Sequence, residues 1–294
     1  MMKKIFGVFL VLLVLSSCML HLSCNKSSDN TSDKVIETII PPMKPKKPVP
    51  HSVPPPPTPV GVIIETPAYY WTYGCTPTAA GMLFGYYDRK AYVNFYVDAV
   101  APLNNSSWPR TDTGQMPMIA SSPYAYDHWV ALGQKGNDPC PDCHPDDCIA
   151  DFMGTGIDKY GNSDGSTTLY SIGGGSPLYD YTSCELISRR DACHGMRLFA
   201  EYAGYSVKTN YTQRIAGYPG VLVGMGYILD QYKASIDKGV PVLLQLGGHT
   251  VIGVGYNNST VYIHDTWDYS LHSMTWGGSY SGMVQWGVTV FELN

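Results

Sequence analysis

The stretch TYGCTPTAAGMLFGYYD, residues 72–88, sets a lone cysteine between Gly74 and Thr76-Pro77 and then runs into a helical pattern. Thr76 is a capping residue type and Pro77 suits the first position of a helix. Ala79, Ala80, Leu83, Phe84 and Tyr87 share one stripe, so a helix is predicted over residues 77–87. Cys75 then stands at a helix mouth, where unpaired N–H groups and the helix dipole favour a negative sulfur. Such a setting brings a thiol from ~8.5 down to about 3.5–7.5, more so beside an imidazolium. A lone cysteine is more often a small buried hydrophobe. Which of the two Cys75 is depends on a partner elsewhere in the chain.

The partner candidate lies in GGHTVIGVGYNNSTVYIHDTWD, residues 247–268. Strands are predicted over residues 240–246, 249–256 and 261–265, with a turn at Asn257-Asn258-Ser259. The hairpin register expected from that turn brings Asp265 within about one position of the residue facing His249. A carboxylate there would fix the ring's tautomer, and His249 would activate a nucleophile. His264 neighbours Asp265 in the strand and is expected on the opposite face. His272, His194 and His128 show no such arrangement. Asp127-His128 carries little weight, because adjacent residues seldom face one another.

Cys75 at a helix start, His249 on a distant strand followed by Gly255-Tyr256, and an acid two residues before a Trp resemble the papain-like cysteine peptidase superfamily. The stretch WTYGCTPTAAGMLFGYYD, residues 71–88, is most similar to the bacterial branch of bacteriocin-leader-processing, double-glycine-type peptidases. The resemblance implies an α+β fold, with an N-terminal helix carrying the Cys packed on a C-terminal antiparallel sheet carrying the His and Asp. It implies Cys75 as nucleophile, His249 as general base and acid, Asp265 as orienting residue and Trp267 as the shielding indole. It implies a peptide or protein substrate and no cofactor. Where that superfamily has an oxyanion-binding glutamine, six residues before the cysteine, this chain has Tyr69. Besides the Cys75 N–H, Tyr69 and Thr72 are the oxyanion candidates; losing one such donor typically costs ~10²–10³ in rate.

The chain begins as a targeting segment. Lys3-Lys4 precede an apolar run at residues 5–15, too short at ~16 Å to span a bilayer. Leu15-Ser16-Ser17-Cys18 resembles a bacterial lipobox, which makes Cys18 the lipidation candidate and Cys24 a weaker one. Residues 1–24 are thus read as signal peptide, and the product as an exported lipoprotein anchored to a bacterial membrane. Residues 25–60 read as a Pro-rich disordered tether, since ten of residues 41–60 are proline. Residues 61–294 form the expected catalytic domain. Further helices are predicted over residues 185–202 and 227–238. Residues 154–182, rich in Gly, Ser and Tyr, read as a surface excursion.

A net charge of −5 and the lack of a basic stripe argue against a nucleic-acid partner. In NDPCPDCHPDDC, residues 137–148, carboxylates surround Cys140, Cys143, His144 and Cys148 and discourage thiolate. Cys184 and Cys193 would stand ~13 Å apart on one helix, too far to bridge each other. Disulfides with the 140–148 loop are the expected fate in an exported chain. Zinc held by Cys140, Cys143, His144 and Cys148 is the alternative. Two further functions fit the same residues: an amidase or transpeptidase acting on cell-envelope substrates, and a surface binding module that has lost its chemistry.

Overall fold

The computed structural model describes residues 34–42, 61–96, 99–107, 116–125, 144–180 and 190–294. In chain order the elements are β1 (Val35–Ile40), β2 (Val62–Ile63), α1 (Cys75–Asp88), α2 (Ser122–Ala125), α3 (Ile149–Met153), β3 (Thr167–Ile172), β4 (Leu178–Tyr179), α4 (Ala192–Tyr202), β5 (Val207–Arg214) and α5 (Leu229–Asp237). There follow β6 (Val242–Leu246), β7 (His249–Asn257), β8 (Thr260–His264), β9 (His272–Thr275), β10 (Ser279–Tyr280) and β11 (Met283–Leu293). The fold is α+β, with helices packed on antiparallel strands.

The large sheet runs β4-β5-β11-β6-β7-β8-β9, with β10 added to β11 and β2 to β7. Its central strands β6 and β7 are buried along nearly their whole length, matching near-continuous runs of Val, Leu and Ile. Asn258 and Ser259 form a tight two-residue turn between β7 and β8, and Asn258 takes φ 54°, a conformation asparagine tolerates.

Helix α1 packs across β7 and β6 and is buried on every side. Small residues make that possible: Ile119 sits against Gly81, and the Tyr69 ring against Gly85. The Phe84 ring meets Phe95, Phe199 and Phe291 at centroid distances of 4.8, 4.9 and 5.3 Å, tying α1 to α4 and β11.

Four expectations change. Helix α1 begins at Cys75 and not at Pro77, because Gly74, at φ 137°, turns the chain into it. Helix α4 begins at Ala192 and not at residue 185: Asp191 is extended, and its carboxylate caps the helix by accepting the His194 N–H at 2.8 Å. Within the segment read as a surface excursion, Thr167–Ile172 is a buried strand. Its partner is β1, six residues of the segment read as tether, joined from Val35↔Ile172 to Ile40↔Thr167.

Candidate active site

Three local features place Cys75. Gly74 makes the sharp entry: a Cβ there would lie 2.6 Å from the Gly165 oxygen, so no other residue fits without displacement. The Thr78 hydroxyl accepts the Thr72 N–H at 2.9 Å and donates to the Gly74 oxygen at 2.6 Å, pinning the loop onto the first turn of the helix. Thr76 does not cap the helix. Its hydroxyl bonds that of Thr250 at 2.9 Å, and Thr250 donates to Gln245 at 2.8 Å. This hydroxyl chain fastens the start of α1 to the start of β7, one residue after His249. The sulfur itself lies 3.5 Å from the Pro41 oxygen and 4.0 Å from the Thr76 hydroxyl.

His249 is fully buried, and its Nε2 lies 2.8 Å from the backbone oxygen of Asp265. A carbonyl oxygen only accepts, so Nε2 carries the proton and Nδ1 is a bare acceptor. Nδ1 has no hydrogen-bond partner among the described residues. The Trp267 indole stacks on the imidazole at 4.5 Å and 18°. This neighbour follows from the register: Ile252 pairs with His264, and three further steps bring His249 level with Trp267.

That register corrects the expected carboxylate–imidazole pair. The Asp265 side chain turns away from His249. Its Oδ2 accepts the Tyr280 hydroxyl at 2.7 Å, and its Oδ1 accepts the Trp267 N–H at 2.8 Å. His272 Nε2 stands 3.5 Å from Asp265 and 2.9 Å from Asp268. His272 therefore does have acidic partners, and so does His194, 3.1 Å from Asp180. His264 donates its Nδ1–H to the Ser270 backbone oxygen at 3.1 Å.

Neither oxyanion candidate serves as expected. Tyr69 donates to the Pro102 oxygen at 2.9 Å, and its hydroxyl lies beside Gly85, ten residues along α1 from Cys75, or ~15 Å. The Thr72 hydroxyl donates to the Tyr70 oxygen at 3.2 Å. The backbone N–H of Cys75 remains. The expected disulfides are also corrected where they can be followed. Cys148 and Cys193 are buried free thiols, bonded to Asp151 at 3.2 Å and to Asn210 at 3.0 Å. Cys18, Cys24, Cys140, Cys143, Cys184 and His128 lie outside the described residues, so of the zinc alternative only His144 and Cys148 are placed.

Both central groups are neutral in this arrangement. Burial pushes the Cys75 thiol up to about 11, against backbone N–H groups that pull it down. Burial also pushes His249 down to about 4, opposed by its bond to the Asp265 oxygen. Asp265 itself is raised by burial, against the pull of His272 and Tyr280. Tyr280 is the contributor that the sequence did not reveal; it reaches Asp265 from a separate hairpin and belongs to no recognisable motif.

Cys75 thus opens a helix that is tied, through Thr76 and Thr250, to the start of the strand that His249 begins. Residues 188–283, about a third of the chain, match the model of the Peptidase_C39 like family, which supports a likeness to the papain-like cysteine peptidase superfamily on its C39 branch. The matched segment holds His249, Asp265 and Trp267, whereas Cys75 lies upstream of it. No curated protein and no solved structure matches the chain.

Proposed function

We propose that this protein is a cysteine peptidase in which Cys75 is the nucleophile and His249 the general base and acid, with the ring oriented by the main chain of Asp265. The observation that carries the reading is the state of the imidazole. Its Nε2 proton is committed to a carbonyl, its Nδ1 lone pair has no partner among the described residues, and the next residue, Thr250, bonds Thr76 in the first turn of α1. In the reaction Nδ1 takes the Sγ proton, and sulfur attacks the substrate carbonyl carbon. As the C–N bond breaks, the imidazolium returns that proton to the leaving amine. Water, deprotonated by the same nitrogen, then releases the acyl group. The Cys75 N–H, at the positive end of α1, faces the developing oxyanion. Trp267 covers the imidazole face and keeps water from the Nε2 bond.

Export and lipid anchoring through Cys18 belong to the same proposal. They rest on the sequence of residues 1–24 alone. Among the described residues no helix is long and apolar enough to cross a membrane.

One observation favours a second reading, a binding module that keeps the fold without the chemistry: Tyr69 stands in the glutamine position and its hydroxyl is engaged elsewhere. An electrophilic epoxide probe on whole cells carrying the Ile40→Asp variant, which unseats the segment whose Pro41 oxygen lies over the sulfur, separates the two. A covalent adduct at Cys75, absent in His249→Ala, supports the peptidase; no adduct supports the binding module. Acyl mass on Cys18 in the same membrane fraction tests the anchor.

A further inference from the structure

We infer that the groove over Cys75 is an extended-peptide site whose built-in occupant is the chain's own segment 34–42. β1 fills it by adding a strand to β3. The inference rests on the peptidase reading for its meaning, but its geometry stands by itself.

The segment is seated along its whole length. All six residues of β1 pair with β3, and among the described residues β3 has no other strand partner. At the end of β1 the side chains alternate sharply: Ile39 is 50% exposed and Ile40 only 1%. Ile40 lies in the same apolar cluster as Trp71, Cys75 and Leu169. Beyond it the main chain crosses the sulfur. The Cys75 thiol donates to the Pro41 oxygen at 3.5 Å, and the Trp71 indole N–H donates to the Pro42 oxygen. Two glycines form the walls. A Cβ on Gly248 would touch Pro41 at 3.4 Å, and one on Gly165 would touch Pro42 at 3.4 Å. Any side chain at either position would narrow the passage.

This is the way an extended peptide binds a sheet edge, with main-chain hydrogen bonds for affinity and alternate side chains in pockets. It also presents a peptide carbonyl to the thiol, as a substrate must. With Pro41 in place Cys75 is only 1% exposed, so no second carbonyl can reach the sulfur. Pro41-Pro42 suits an occupant: the pair is stiff and extended before binding, so little chain entropy is lost when it docks. Access to Cys75 thus requires displacement or removal of residues 34–42.

The test is the alkylation of thiols in the full-length protein by iodoacetamide at pH 8, read by mass spectrometry at Cys75, Cys148 and Cys193 separately. In the parent all three react slowly. Ile40→Asp, which cannot stay in the apolar seat, is expected to raise the Cys75 rate at least tenfold and leave Cys148 and Cys193 unchanged. Ile40→Ala gives a smaller rise, again at Cys75 alone. A synthetic peptide of residues 34–42 added to Ile40→Asp restores protection, and the same peptide carrying Asp at position 40 does not. Fast labelling of Cys75 in the parent overturns the inference. So does an unchanged Cys75 rate in Ile40→Asp, or a joint rise of all three thiols in both variants. Labelling needs no turnover: selective exposure of Cys75 without peptide hydrolysis would refute the peptidase reading and leave the occupied groove standing.

Discussion

His249 Nε2 hydrogen-bonds the main-chain oxygen of Asp265, while the carboxylate of the same residue bonds Tyr280. The imidazole is thus oriented by a group that no substitution at position 265 removes. Asp265→Asn is therefore expected to keep peptide hydrolysis within about tenfold of the parent. His249→Ala removes the base itself and loses ~10²–10⁴ in kcat. Steady-state rates of the two variants, each also carrying Ile40→Asp, check this; equal losses in both would place the carboxylate in contact with the ring.

Tyr280→Phe deletes the hydroxyl that donates to a carboxylate only 2% exposed. A hydrogen bond to a charged group contributes about 1.5–3 kcal/mol, so urea denaturation should show a loss of that order. Because Tyr280 touches the side chain and not the carbonyl used by His249, KM and kcat measured in the Ile40→Asp background, well below the melt, should change little.

Gly74→Ala tests the entry to α1. An L-residue at φ 137° with a Cβ 2.6 Å from a backbone oxygen is strained whatever rotamer it adopts. The cost is about 1–3 kcal/mol or more, read as a lower melting temperature. Cys75 follows directly, so the same change made in Ile40→Asp should also lose activity in the protein that remains folded.

Burial sets the pH dependence of stability. Asp191 is held up at about 7 and Asp151 at about 8, so the folded state keeps protons that the unfolded chain releases near 3.8. Their contribution is present at low pH and is lost as pH rises toward 8. His249, held down at about 4 against an ordinary 6.5, acts the other way: its contribution is present above 6.5 and is lost as pH falls toward 4. Above 6.5 only the aspartates of these three still titrate, so chemical denaturation should show stability falling between pH 6.5 and 8. Asp191→Asn keeps an oxygen for the His194 N–H and should flatten the part of that fall below about pH 7.

Much of the site was legible because its elements are local. The stripe over residues 77–87 and the Asn-rich turn before Thr260 each fix a structure within a few residues. What escaped reading is long-range. The β1 run Val-Ile-Glu-Thr-Ile-Ile has the β-branched composition of a strand, yet it borders a proline-dense segment and its partner β3 lies over 120 residues away. The exchange of carboxylate for carbonyl at Asp265 follows from the register of β7 and β8, shifted between Gly253 and Gly255 by a bulge, which no periodicity announces. The engagement of Tyr69 with Pro102 likewise depends on where a distant loop settles.

The central claim is that one sulfur and one imidazole form a reactive pair once the groove is vacated. The most direct measurement is the pH dependence of Cys75 alkylation in Ile40→Asp, with and without His249→Ala. The account predicts an inflection well below the ~8.5 of an ordinary thiol, lost when His249 is replaced. A single inflection at or above 8.5, the same in both proteins, would contradict it.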